Sequence, residues 1–309
     1  MSRLWDRARG LWEAFWFAQE SPRNLAAARI LVAAHALWVL LSRDPAALSG
    51  LPAEFWTSVS DGARWRFLLF EGRPGLETLL QWAAVGALTA ALLGLWTRVS
   101  CLAAGLLLYH LAPLETMIFT PSPWVKGFTI SVPALLVLSF SRCADAWSLG
   151  RRRGEEAAPW EYNWPLRLVQ LFLCQVYLFA GYAKLVKTGP GWISVESVQR
   201  YILQYLQNEQ IATFTALGAW IADRPALCLL AAISAIAVDL GFIVVLFSRR
   251  ARRWVLPLVA VWHLLILLSL NIAFLEVPLL LLFVDWEAVR RRWFLKPAGP
   301  EAAPRTGTA

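Results

Sequence analysis

Charged residues, cysteine and lysine are all scarce in this chain of 309 residues. Asp, Glu, Lys and Arg together make up 16% of it, and hydrophobic residues make up 58%. A soluble domain usually carries about 25% charged residues. So little polar surface cannot cover a soluble domain of this size. Composition therefore excludes a disordered chain, a soluble globular protein and a nucleic-acid-binding module, and it indicates an integral membrane protein.

Sequence signatures of common chemistry are also missing. The four cysteines stand far apart with no CxxC pair, so neither a metal site nor a disulfide framework is expected. The chain has no glycine-rich phosphate loop, no HExxH and no GxSxG. Function must therefore be sought in polar residues placed within apolar segments.

Apolar segments long enough to cross a membrane dominate what is present. Residues 1–22 come first and predict an amphipathic helix lying on the membrane surface, with one apolar face formed by Leu4, Trp5, Leu11, Trp12, Phe15 and Trp16. Spans are then expected at about 25–42, 76–96, 99–113, 125–141, 164–186 and 223–247. A run of 31 residues, 254–284, is too long for one crossing and predicts a hairpin near Asn271, giving spans at 254–270 and 274–286.

These segments predict an all-α integral membrane protein, a bundle of about eight transmembrane helices over residues 23–296, followed by a disordered tail at 297–309. With the N-terminus inside, 18 of the 29 basic residues fall on the cytoplasmic side. We therefore expect a multi-pass protein of the cell membrane with both termini cytoplasmic. Residues 187–222 would be extracytoplasmic, and membrane lipid is the first expected partner.

Four ionisable side chains within spans form a predicted polar cluster, because burying each in lipid is costly. Asp239 and His263 lie roughly 12–14 Å from the cytoplasmic ends of their helices, at about 1.5 Å per residue. His35 and His110 lie at nearly the same level. One interpretation is a polar path for a proton or cofactor. The other, equally supported, is an Asp239–His263 pair that holds helices together, with the other two histidines bonded to carbonyls.

Two of the four lysines, Lys184 and Lys187, lie one helical turn apart in the segment YLFAGYAKLVKTGPGW, residues 177–192. Gly181, one turn before Lys184, permits close approach of another helix or a flat ligand, and aromatic residues surround it. Burial and the like charge of Lys187 would favour a neutral Lys184 amine, which can act as a general base. Lysines near helix ends more often extend to the interface, and spacing alone favours that interpretation.

This segment, however, resembles the signature of a known family. YLFAGYAKL followed by Gly191 and Trp192 is similar to the horizontally transferred transmembrane (HTTM) domain, the membrane domain of vitamin K-dependent γ-glutamyl carboxylase and its bacterial relatives. Further similarities cover most of residues 20–285: Arg29, AWSL at 146–149, the approach NWPLRLVQLFLCQVY at 163–177, Asp239 before Leu-Gly-Phe, and His263.

The resemblance implies a mechanism and a cofactor. In the carboxylase, the lysine matching Lys184 deprotonates a reduced quinone, a vitamin K-type hydroquinone. Oxygen then generates a strong base that removes a γ-proton from a peptide glutamate, and carbon dioxide adds. Lys184 would be the catalytic base here, with Tyr177, Gly181, Lys187 and Trp192 around the cofactor. The site would face the extracytoplasmic side, where a peptide or protein is the implied substrate or partner.

Three departures from the family pattern weigh against carboxylation of a peptide. The stretch Trp124 to Gly127 lacks the family's histidine, and Val195 stands where the family has glycine. We also expect no counterpart, within these 309 residues, of the large extracytoplasmic domain that grips the carboxylase's substrate. The resemblance therefore implies quinone chemistry without assigning a substrate. The alternative is a non-catalytic membrane scaffold or partner-binding protein that keeps the fold.

Overall fold

The computed structural model describes residues 2–43, 45–50, 74–119, 128–150, 157–206 and 215–294, and within these ranges the regular elements are helices. The α-helices are α1 (Ser2–Trp16), α2 (Pro22–Arg43), α3 (Pro74–Leu93), α4 (Thr97–Phe119), α5 (Ser131–Ser139), α6 (Asn163–Lys187), α7 (Val195–Leu206), α8 (Thr215–Ala222), α9 (Pro225–Gly241), α10 (Val244–Phe247), α11 (Arg249–Leu270) and α12 (Trp286–Phe294). The predicted tail, 297–309, lies outside the described residues.

Four described helices are long and apolar enough to cross a membrane: α2, α3, α6 and α11. A fifth crossing is possible by the same criterion if α8 and α9, which meet at a bend of 103°, count as one broken span. The all-helical membrane class predicted from composition is thus what the structure has. The predicted count of about eight spans is not confirmed.

Two of the predicted spans take a different form. In place of a span at 125–141, the described residues contain only the nine-residue helix α5, about 14 Å long and well short of the ~30 Å hydrocarbon layer. The predicted break at Asn271 is present, with that residue left-handed at φ 57° as the C-cap of α11. Beyond it the chain forms a 3₁₀ helix, Val277–Phe283, where the sequence predicted a span at 274–286.

Helix α1 occupies most of the segment expected to be amphipathic. Trp5, Leu11 and Trp12 are largely exposed, whereas Phe15 packs against Phe247 with ring centroids 5.5 Å apart. The helix therefore presents an uncovered apolar surface beside the bundle. Its placement on a membrane remains a prediction.

Helix α2 lies at the centre of the bundle and packs on α3, α5 and α6. Its buried face is rich in alanine, and Leu25, Val32, Ala36 and Val39 are completely covered. Small side chains let neighbouring helices approach closely, which is how helices associate when lipid removes most of the hydrophobic driving force.

The return segment, residues 271–284, runs beside α2 and is not α-helical. Backbone carbonyls of such a segment lack the regular i−4 partners of a helix and must find other donors away from water. The structure supplies them from side chains: His35 Nε2 donates to the Leu275 carbonyl at 3.1 Å, and Gln170 Nε2 donates to the Leu282 carbonyl at 2.8 Å. Two polar side chains inside spans thus each donate to one backbone carbonyl of the return segment.

A terminal junction joins Ser21–Asn24, at the start of α2, to Asp285–Arg291, after the return segment. Arg23 Nη1 donates to Glu287 at 2.6 Å, and Asn24 Nδ2 donates to Asp285 at 3.2 Å. The chain therefore enters α2 and leaves the return segment at the same end of the bundle. We call this the arginine-rich end, because Arg167, Arg249 and Arg252 also lie near it. That this end is cytoplasmic remains a prediction.

The hydrogen bonds of this junction predict that the protein loses stability at low pH. Hydrogen bonds from Arg23 and Arg291 lower the pKa of Glu287 from 4.5 to about 2. A depressed carboxyl pKa stabilises the fold above pH 4.5, and this contribution disappears as pH falls towards 2. The loss should be about 1–2 kcal/mol, reduced by solvent screening of the partly exposed arginines.

Thermal unfolding of the purified protein in detergent between pH 6 and pH 3 measures this loss. Glu287→Gln should lower the melting temperature at pH 6 and flatten its decline below pH 4.5. An identical acid dependence in the wild type and the variant would contradict the assignment to Glu287.

Candidate functional site

An ion pair between α6 and α9 forms the centre of the site. Lys184 Nζ lies 2.5 Å from Asp239 Oδ2, and the side chains are 27% and 11% exposed. Charges removed from water in this way are stable only when paired. The most specific residue of the predicted signature therefore has a buried carboxylate as its direct partner.

The environment of Lys184 combines an aromatic ring with a close helix contact. The ammonium lies 5.3 Å from the ring centroid of Trp192, which is itself buried. At Gly181 an added Cβ would come within 2.8 Å of Leu240 and 3.0 Å of Asp239 Cβ, so glycine is what lets α6 and α9 meet here. The side chain of Lys187, also predicted at the site, lies outside the described residues.

A second polar pair lies on α6 two turns before Lys184. Tyr177 is seven residues before Lys184 and so lies on nearly the same helix face. Its hydroxyl is 2.8 Å from His263 Nε2 on α11, and its ring stacks on Phe242 at 4.1 Å. His263 Nδ1 is buried with no hydrogen-bond partner in the described structure. One face of α6 thus carries two pairs that involve different neighbouring helices.

The predicted cluster of four intramembrane residues is divided among separate partners. Asp239 bonds to Lys184 and His263 to Tyr177, so each residue of the predicted Asp239–His263 pair has a direct partner on α6 in the described structure. A contact between the two through one water stays a prediction. The depth estimate compared only the consecutive helices α9 and α11, so it left out α6, which supplies the partners of both residues.

The other two histidines bond elsewhere. His35 Nε2 donates to the Leu275 carbonyl, which leaves Nδ1 to accept from the Ser131 hydroxyl at 2.9 Å. His110 Nε2 donates to both oxygens of Glu77, at 3.0 and 3.1 Å, and that carboxylate is buried. His35 thus supports the return segment, whereas His110 forms a separate acid–base pair between α3 and α4.

Glu77 and Gln170 are polar residues that the sequence analysis did not select. Both are buried, at 1% and 2% exposure. Glu77 stands in the first turn of an apolar helix, a position that commonly remains in water, and Gln170 carries no charge. Their partners are distant in sequence, so spacing along one helix gave no signal for them.

Arg29, one of the residues that carried the family resemblance, connects the first span to the AWSL stretch. Its side chain is completely buried, and Nη2 donates to the Trp147 carbonyl at 2.5 Å. Trp147 adopts a left-handed backbone at φ 47°. Two of the quoted family features are therefore in direct contact.

Comparison with known proteins agrees with the resemblance. The family model of the HTTM domain matches residues 17–284, which include all of the site residues described above. Neither the curated proteins nor the solved structures contain a match. Since the matched region covers most of the chain, it relates this protein to the membrane domain of the vitamin K-dependent carboxylase. The chain belongs to the HTTM domain family.

Proposed function

We propose that this protein is a membrane enzyme that uses a reduced quinone, with proton transfer centred on Lys184 and its partner Asp239. The observation that carries the proposal is the partly buried Lys184–Asp239 pair, 2.5 Å across, within the region that the family model matches. The site would open to the extracytoplasmic side. Its substrate would be a peptide or protein there if the carboxylase chemistry is retained.

The two partners have complementary roles in this proposal. Asp239 holds the amine of Lys184 in place between α6 and α9, and together they form a neutral unit that can accept one proton. Trp192 provides a flat face beside the amine, suited to an aromatic ligand. A bound hydroquinone would supply an acidic phenol and reducing equivalents. Lys184 would accept the phenolic proton after its own proton has passed to the Asp239 carboxylate.

Tyr177 and His263 extend the polar face towards the bundle interior. Their 2.8 Å hydrogen bond lies two turns of α6 from Lys184. In the proposed enzyme, this hydrogen bond would hold the rings of Tyr177 and His263 in place along the inner side of the site. Phe242, stacked on Tyr177, would exclude water from it.

A non-catalytic scaffold is the second candidate, and one observation favours it. The Lys184–Asp239 pair joins α6 to α9 where Gly181 brings the two helices into contact. Interhelical polar pairs of this kind hold membrane bundles together without any chemistry. In a scaffold the cation is required, but its ability to lose a proton is not.

Quinone content of the purified protein tests the enzyme proposal. Solvent extraction and mass spectrometry of protein purified in mild detergent should recover a quinone in near-stoichiometric amount. Trp192→Leu should lose most of it, because the flat face beside Lys184 is gone. Trp160→Leu is the matched control, since that indole is 45% exposed. Equal quinone content in the two variants, or none in the wild type, would favour the scaffold.

A further inference from the structure

Three arginines converge at the arginine-rich end, where the short helix α10 ends. Arg252 donates from Nε to the Val245 carbonyl at 2.7 Å and from Nη2 to the Leu246 carbonyl at 3.4 Å. Arg167 Nη1 donates to that same Leu246 oxygen at 3.2 Å. Because two guanidinium groups share one acceptor, they lie close together. Arg249 is near enough to repel both of them.

The charge of this arginine cluster, Arg167, Arg249 and Arg252, has no ion-pair partner within the described part of the chain. Glu20 and Asp285 lie close enough to attract the cluster. Both carboxylates, however, accept hydrogen bonds from the amide of Asn24, at 2.8 and 3.2 Å. The nearest acids are therefore engaged with the start of α2.

Buried donors without partners accompany this unpaired charge. Arg167 Nη1 also donates to Gln170, but its Nε is buried and has no hydrogen-bond partner in the described structure. The indole nitrogen of Trp16, which follows Phe15 on α1 and packs against its ring, is also buried without a partner in the described structure. Such donors normally find an acceptor. Backbone carbonyls at the end of α10 thus account for only part of the hydrogen-bonding capacity gathered here.

Aromatic rings lie beside two of these guanidinium groups. The Arg167 guanidinium lies 5.6 Å from the ring of Phe15 on α1, and that of Arg252 lies 5.8 Å from the ring of Phe283. Helix α1 continues outwards with Trp5 and Trp12 exposed. A ligand that enters here meets cations and free donors first and apolar side chains beside them.

We infer that the arginine cluster binds the phosphate group of an anionic phospholipid from the leaflet that borders the arginine-rich end. A phosphate has several acceptor oxygens and matches the planar donor pattern of guanidinium groups. The phosphate would neutralise the shared charge and accept a hydrogen bond from Arg167 Nε. The acyl chains of the same lipid would lie along the exposed apolar face of α1. Basic pockets between membrane helices are suited to such headgroups.

Binding can be measured on the purified full-length protein without any activity assay. Protein that has been delipidated in detergent is titrated with phosphatidylglycerol or phosphatidylcholine, followed by native mass spectrometry and by the melting temperature. Wild type should retain one phosphatidylglycerol and melt several degrees higher, with no comparable effect of phosphatidylcholine. Inorganic phosphate, titrated separately, distinguishes a free ion from a lipid headgroup.

Matched variants separate a specific site from general surface charge. Arg167→Gln with Arg252→Gln should weaken phosphatidylglycerol binding about tenfold or more, since charged hydrogen bonds are lost. Arg250→Gln with Arg253→Gln removes the same charge from exposed positions on α11 and should have little effect. Arg167→Lys, which keeps the charge but lacks the Nε donor, should also weaken binding. This single substitution keeps the inference testable if the double variant does not fold.

Each outcome of these titrations decides the inference. Equal weakening in both double variants, or binding retained in Arg167→Lys, would mean general attraction and overturn the site. Absence of phosphatidylglycerol binding by the wild type would overturn it too. A response to inorganic phosphate as strong as that to phosphatidylglycerol would support a phosphate site but reject the lipid as its source.

Discussion

Replacing Lys184 by arginine is expected to abolish hydroquinone-dependent oxygen consumption while the protein remains folded. Arginine keeps a permanent cation beside Asp239 but cannot give up its proton in the physiological range. General base catalysis typically contributes about 10²–10⁴-fold to a rate, so a loss of at least about 100-fold is expected. An oxygen electrode, with purified protein and a reduced menaquinone analogue, measures the rate, and the melting temperature of the same sample reports the fold.

The same variant separates the enzyme from the scaffold. A scaffold needs only the cation that pairs with Asp239, so Lys184→Arg would leave partner binding and stability nearly unchanged. Asp239→Asn should lower stability under both interpretations, because it leaves a partly buried ammonium unpaired. Lys187→Arg makes the same substitution one helical turn away and should keep most of the activity. Wild-type oxygen consumption in Lys184→Arg would exclude the catalytic role of the lysine.

Local pattern was enough to select the central residue of the site. Gly181, Lys184 and Trp192 stand within twelve residues of one another, and their spacing on one helix and the turn after it was readable from the sequence. The structure does place Trp192 and the neighbours of Gly181 around Lys184. Whether these residues bind a cofactor remains a prediction.

Partners across helices were harder to predict, because depth counted along one helix does not tell which neighbouring helix a side chain faces. Asp239 and His263 stand on helices that follow each other in the chain, yet each of them bonds to a residue of α6. The form of the return segment was missed for another reason, since four consecutive leucines suit an α-helix and a 3₁₀ helix equally.

Loss of the Gln170 side chain is expected to be the most destabilising change among the buried polar residues of α6. Gln170→Leu removes the donor to the Leu282 carbonyl and leaves that oxygen buried in a segment with no α-helical partner. An unsatisfied buried polar group costs about 1–3 kcal/mol. The variant also loses the bond that Arg167 donates to Gln170. Unfolding in mixed detergent micelles should show a lower free energy by at least this amount.

The matched control for this variant is Gln175→Leu, on the same helix but exposed, which should change stability by less than about 0.5 kcal/mol. His35→Leu tests the second donor, since it removes the bond to the Leu275 carbonyl. If both donors hold the return segment, proteolysis should begin between residues 271 and 284 in each variant and not in the control. Equal stability of Gln170→Leu and Gln175→Leu would show that water or lipid headgroups reach the Leu282 carbonyl. Gln170 would then have no role in stabilising the return segment.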